Sequence, residues 1–137
     1  MSSAAHDLQA AVVAALRADT ALTALTGGED RILDTVPPEQ AFPYVAIGRT
    51  ATTDRSTDDR AGEEHLLTLR CWSRATSRDE VLAMAARVTA ALAGLGGIHG
   101  DTRIVSLRPV SGDHGYEPAD LAWRAVSRFR ALTEPAD

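Results

Sequence analysis

Few residues in this chain stand at spacings that chemistry needs. The four histidines, His6, His65, His99 and His114, are scattered, with no two at i and i+4, so no H-E-x-x-H zinc helix is present. His99 and Asp101 can meet on one turn, an imidazole beside an orienting carboxylate. That is half of a triad, and no G-x-S-x-G elbow supplies the nucleophile. Surface or loop positions are the better reading of these histidines. Cys71 falls among alternating apolar residues with Leu67 and Leu69, which predicts a buried, inert thiol. As the lone cysteine it forms neither an internal disulfide nor a thiolate metal site. Asp54, Asp58 and Asp59 share a loop but lack the alternation, central glycine and closing glutamate of a calcium site. In the run from Gly94 to Gly100, His99 occupies the place of the third glycine of a dinucleotide fingerprint. The run also follows a predicted helix where a strand should stand, so it reads as a helix stop and turn. The sequence therefore predicts no catalytic residue, no cofactor and no metal, and hence no enzyme.

The charged residues are more informative. Nineteen acids oppose fourteen bases for a net charge of −5, against the basic footprint of a dedicated DNA-binding domain. Every one of the fourteen bases is arginine. A GC-rich genome explains this; so does the planar arginine fork, which suits inter-subunit ion pairs better than the point charge of lysine. Arg124, Arg128 and Arg130 alternate along one face of the predicted last strand. Arg70 and Arg108 fall on the same parity, opposite their strands' apolar faces. If these strands are neighbours, the outer sheet face carries a band of arginines. Such a band is a solvated face, a partner for acids of an adjacent subunit, or a nucleic-acid contact.

The elements that position these groups follow from periodicity. Leu8, Val12, Ala15 and Leu16 predict a helix over 4–18, followed by a short turn at 21–25 that Gly27 and Gly28 end. A short strand at 31–36 stops at Pro37 and Pro38. Two long strands, 43–53 and 63–73, flank a polar segment, 54–62, too long for a tight hairpin and too polar to bury. This arm carries Asp54, Arg55, Asp58, Asp59 and Arg60, and a mobile, solvated state is expected for it. Ser77 and Glu80 form a predicted capping box that opens a second helix, with Val81, Ala85, Val88 and Leu92 on its apolar stripe. Strands at 102–110 and 121–133 close the chain, with a loop at 111–118 between them. The order predicts an α+β fold: a mainly antiparallel sheet with two helices on one face, in a single two-layer domain spanning residues 1–137.

The length suffices for a sizeable core, and 45% of the residues are apolar, which argues against disorder. No apolar run approaches the roughly 20 residues that span a bilayer. The N-terminus lacks a basic then apolar leader pattern, so a reducing cytoplasm is the expected compartment.

One ordered set of residues resembles a known family. Phe42-Pro43-Tyr44-Val45-Ala46-Ile47-Gly48, then Gly62-Glu63-Glu64-His65, then Leu67-Thr68-Leu69-Arg70-Cys71-Trp72-Ser73-Arg74 are similar to the tail completion, or tail terminator, proteins of long-tailed phages and gene transfer agents. The alanine-rich first helix, Arg31-Ile32-Leu33-Asp34, Val105-Ser106-Leu107-Arg108 and Arg128-Phe129-Arg130-Ala131-Leu132 follow in order, so the resemblance spans nearly the whole chain. It implies a homo-hexameric ring that caps the tail tube, ends tube polymerisation and joins the tail to the head-neck connector. Its partners are then copies of itself, the major tail tube protein and the connector or stopper, with no membrane and no cofactor. It implies a place at the tail-neck of a virion assembled in the bacterial cytoplasm. Six copies at −5 each carry −30, a charge that helps DNA pass without sticking. The partner surfaces expected for this role are the arm, at Asp54, Arg55, Asp58, Asp59 and Arg60, and the arginine face, at Arg70, Arg108, Arg124, Arg128 and Arg130. A head-closure or stopper protein is the alternative in the same neck, and a small ligand-binding module or enzyme is the alternative of another class.

Overall fold

The computed structural model describes residues 3–136. Its first helix, α1 (Ala4–Ala18), is capped by Ser3, whose hydroxyl accepts the His6 N–H at 3.1 Å. Leu8, Ala11, Val12 and Leu16 line its buried stripe. Asp19 ends α1 and opens α2 (Thr20–Thr26), taking the Leu22 N–H at 2.8 Å. Gly27, with φ of 95°, stops α2 in the left-handed conformation that a side chain resists. A 3₁₀ turn (Glu29–Arg31) leads into β1 (Ile32–Leu33), followed by β2 (Tyr44–Asp54), β3 (Glu63–Ser73), α3 (Asp79–Leu92), β4 (Gly97–His99), β5 (Thr102–Glu117) and β6 (Ala122–Pro135).

The six strands form one sheet in the order β1-β2-β3-β6-β5-β4. All neighbours run antiparallel except β1 and β2, which pair in parallel from Ile32 opposite Val45. The inner sheet face presents Val45, Leu67, Leu69, Cys71, Ile104, Ala125, Phe129 and Ala131 to Leu8, Val12, Leu16, Leu22, Val81, Met84, Val88 and Leu92 of the helices. Each such leucine or valine contributes roughly 1.5–3 kcal/mol by leaving water.

The α+β class holds, with corrections of detail. The sheet is mixed, and three helices accompany it where two were expected. The residues read as a turn form α2 because Asp19 caps them and Leu22 anchors them in the core. The strand expected at 31–36 shrinks to two residues because only Ile32 and Leu33 reach the edge of β2. The capping box does not form: α3 begins after Arg78, which gives no side-chain cap, and the Glu80 carboxylate instead accepts from the Ser73 hydroxyl at 2.6 Å. The glycine run does stop α3, with Gly94 at φ of 78°, but Gly97–His99 then adds β4. Of the expected loop at 111–118, residues 111–117 are strand and Pro118 opens the turn. Cross-strand pairing with β6 holds Ser111 to Glu117 extended, opposite Arg128 to Ala122.

Candidate functional site

The alternation of β3, β5 and β6 puts one set of side chains on the core and the other on the open face of the sheet. Residues directly opposite in the register share a face. Arg108 faces Arg130, Arg130 faces Leu66, Leu66 faces Ala51, and these four form one row across β5, β6, β3 and β2. Arg128 lies opposite Thr68, and Arg124 opposite Trp72. Arg70 lies opposite Ala46 and Val126. The five arginines Arg70, Arg108, Arg124, Arg128 and Arg130 therefore occupy the same outer face.

Three of them have acids of this same chain. Arg124 pairs with Glu117 at 3.0 Å and Arg128 with Asp113 at 3.0 Å, both acids on the part of β5 that was expected to be loop. The Arg130 Nε lies 3.4 Å from Glu64, near enough for attraction but not aligned as a hydrogen bond, and is buried without a hydrogen-bond partner. Glu64 is shared with Arg55 at 3.5 Å. Arg70 and Arg108 have no acid in ion-pair reach among the described residues. The Arg70 guanidinium lies over Gly48, where β2 bulges, and a side chain at 48 would collide with it and approach the Thr68 carbonyl to 3.0 Å. A larger residue at 48 would displace the Arg70 guanidinium and crowd the Thr68 carbonyl.

The arm is more ordered than its composition suggests. Arg55 donates its backbone N–H to Gly62 at 2.8 Å and Thr57 to Arg60 at 2.7 Å, which extends the β2–β3 hairpin to a tight tip at residues 57–60. Asp54 accepts the Ser56 N–H and hydroxyl-type contacts brace the turn, with Thr57 donating to Asp59 at 3.1 Å. The Ser56 contacts hold the fully exposed Asp54 carboxyl below its usual range. Arg60 reaches Glu134 at the end of β6, at 3.4 Å. The segment expected as a loop is a hydrogen-bonded hairpin extension, and it is solvated as expected: Asp58 at its tip is exposed.

Sequence reasoning missed the aromatic end of the sheet. Five of the six aromatic residues gather at the end away from the arm. Phe42, Tyr44 and Trp72 cluster on the outer side, with Arg74 stacked 4.0 Å over the Phe42 ring. Tyr116 and Trp123 meet edge to face at 5.3 Å, with Arg78 over Trp123 at 4.8 Å. The register of β5 with β6 is the signal that joins the second group, and it was hidden by the loop reading of 111–118.

The remaining chemistry-bearing residues sit apart. Cys71 is buried, and burial pushes its thiol up to about 12. His65, read as a surface or loop residue, is buried in the sheet between the Thr52 and Thr133 hydroxyls at 3.0 and 2.9 Å. Strand alternation around Leu67 carried the signal, since His65 has the same parity. His99 contacts the Gly96 carbonyl at 2.9 Å and His114 contacts Arg78. Among the described residues no group of three or more His, Cys, Asp or Glu side chains is placed to hold a metal ion. No single helix is long and apolar enough to cross a membrane; α1 and α2 pass that test together but bend by 79°.

What the arrangement offers is surface: an arginine-bearing sheet face, a hydrogen-bonded projecting hairpin and an aromatic end. The model of the family described as tail completion protein gp17 matches residues 10–134. Among solved structures, a chain in the virion of a native gene transfer agent particle is 31% identical. It superposes with a TM-score of 0.84 over 98% of this chain and 99% of that one. No curated protein matches. The chain thus belongs to the tail completion protein gp17 family, whose members are structural proteins of virion tails.

Proposed function

We propose that this protein forms a six-membered ring on the last ring of tail tube protein, ends tube polymerisation there, and joins the tail to the head-neck connector. The observation that carries this reading is the near full-length likeness to a chain of a gene transfer agent virion. The fold supplies what a ring needs. Head-to-tail closure uses two different surfaces of one subunit, and the sheet has two dissimilar borders. Its outer strand edges are covered only briefly, β2 by β1 at Val45 and Ala46 and β5 by β4 from Thr102 to Ile104, which leaves backbone groups open to a neighbour. The braced hairpin tip at 57–60 projects beyond the sheet, fit to touch a tube subunit without first having to fold. In this reading the chain is one domain, works by docking with no reaction catalysed, and is built into the particle in the bacterial cytoplasm. DNA passes through the ring without specific binding.

The test is deletion of the gene in a particle-producing strain, followed by electron microscopy of the particles. Tails of uncontrolled length, or finished tails without heads, are expected. Normal tails with heads attached overturn the proposal. Heads that leak DNA beside correctly terminated tails favour the head-closure role instead.

A further inference from the structure

The outer arginine face is not balanced within the chain. Arg108 stands directly opposite Arg130, an arrangement of like charges that costs a sheet stability. Glu64, the one acid near Arg130, is already shared with Arg55. Arg108 is exposed, and neither it nor Arg70 has an acid in reach among the described residues.

At the opposite border of the sheet the imbalance is reversed. Glu29, Asp30, Asp34 and Glu39 flank β1, all exposed, and none has a cation in ion-pair reach among the described residues. The one arginine of that segment, Arg31, is turned inward, donating to the carbonyls of Thr26, Phe42 and Pro43 at 3.1–3.3 Å. Val36, 40% exposed, sits within the acidic stretch, and Leu66, 41% exposed, sits within the arginine row. One border therefore offers carboxylates without a cation around an apolar residue, and the outer face offers the acid-free guanidiniums of Arg70 and Arg108 on the side of the sheet that exposes another.

We propose that the Arg70, Arg108 and Arg130 face of one copy receives the acidic segment at residues 29–39 of the next copy. The occupant is a second copy because the same chain carries both halves of the charge match on different surfaces, as head-to-tail closure requires. This inference rests on the ring reading and specifies which surfaces close the ring. The pairs relieve the repulsion between Arg108 and Arg130, which an isolated chain leaves in place.

The experiment uses particles assembled with a chain carrying Arg108→Cys and Asp34→Cys. Cys71 is buried and its thiol is pushed up to about 12, so it gives little background. Treatment with a short bismaleimide is expected to give a ladder of linked copies, absent from either single variant. Particles that contain the chain but yield no linked copies overturn the inference. Charge reversal provides a second arm. Arg108→Glu should lower the yield of headed particles about tenfold, and adding Asp34→Arg with Glu39→Arg should restore most of it. Unchanged yield with Arg108→Glu overturns the inference. So does unchanged assembly together with a loss of salt-sensitive binding to duplex DNA, which would assign the face to phosphates. Linked copies in the double-cysteine particles, together with tails that end normally when the gene is deleted, would keep the contact and remove the ring-capping reading.

Discussion

Arg108 and Arg130 are directly paired across β5 and β6, two cations side by side with one carboxylate in reach of Arg130, that of Glu64, which Arg55 shares. The free subunit is therefore expected to gain stability when this repulsion is removed. Like charges opposite one another in a sheet cost roughly 0.2–1 kcal/mol, and an opposite charge recovers a similar amount. Arg108→Glu should raise the urea midpoint of the isolated chain slightly, while it impairs particle assembly. A midpoint lowered by the substitution would show that Arg108 already has a stabilising role within the monomer.

His65 links three strands through its two ring nitrogens, with Thr52 of β2 on one side and Thr133 of β6 on the other. Burial disfavours its charged form and lowers its pKa from the ordinary 6.5, with Glu63 opposing part of that effect. The unfolded chain thus binds a proton more readily than the folded one. Stability from this group is complete above about pH 6.5 and is lost as pH falls toward the lowered folded value. Thermal midpoints between pH 8 and 5 should decline through that window. His65→Gln should be less stable at pH 8, from disturbed hydrogen bonds, and its decline should be shallower. A wild-type profile with the same slope as His65→Gln would exclude the histidine as the source.

The contrast between His65 and the segment 111–118 shows what the sequence made legible. Alternation along β3 and β6 is strong, so the faces of Leu67, Leu69, Cys71, Phe129 and the arginines could be read directly. In β5 the alternation is broken by bulges near Val105 and Val110, and Gly112, Asp113 and Gly115 carry turn-like chemistry. There the strand exists because β6 pairs with it, a long-range cause that local propensity does not contain. The same reason hid the acids Asp113 and Glu117, which neutralise Arg128 and Arg124. Of the arginine band, membership was legible and the charge balance was not. In the arm, polar composition gave no sign of the hydrogen bonds that continue the hairpin, such as that from Arg55 to Gly62, because they depend on both ends being held by the sheet.

Asp19 joins the three helices. It caps α2 through the Leu22 N–H and binds Arg87 of α3 through both carboxylate oxygens, at 3.3 and 2.7 Å. The Arg87 hydrogen bond is the main cause that holds its carboxyl below the ordinary 3.8, with burial opposing. The folded state then binds a proton less readily than the unfolded chain. Its stabilisation is present above about pH 4 and is lost as pH falls through the lowered value. Asp19→Ala removes the cap as well as the pair, and should cost about 1 kcal/mol more than Arg87→Ala in urea unfolding, the usual worth of an N-cap. Equal losses would mean that the cap contributes nothing beyond the ion pair.

Gly100 and Asp7 fix the approach of α1 to the start of β5. The Asp7 carboxylate accepts from the Thr102 hydroxyl at 2.8 Å and from the Asp101 N–H at 3.1 Å, so a buried acid on the first helical turn holds the β4–β5 turn. Gly100 sits in that turn at φ of 60°, and a side chain there would come within 2.6 Å of the Asp7 carboxylate. Gly100→Ala faces both a left-handed backbone, a penalty of roughly 1–2 kcal/mol, and a displaced carboxylate. Its loss in urea unfolding should exceed that of Gly94→Ala, where φ is 78° and no atom lies within 4 Å of the added carbon. In Asp7→Ala the collision is absent, so the further cost of Gly100→Ala should shrink to the backbone penalty alone. An unchanged cost in that background would show that the carboxylate makes room freely and that backbone conformation alone selects glycine at this turn.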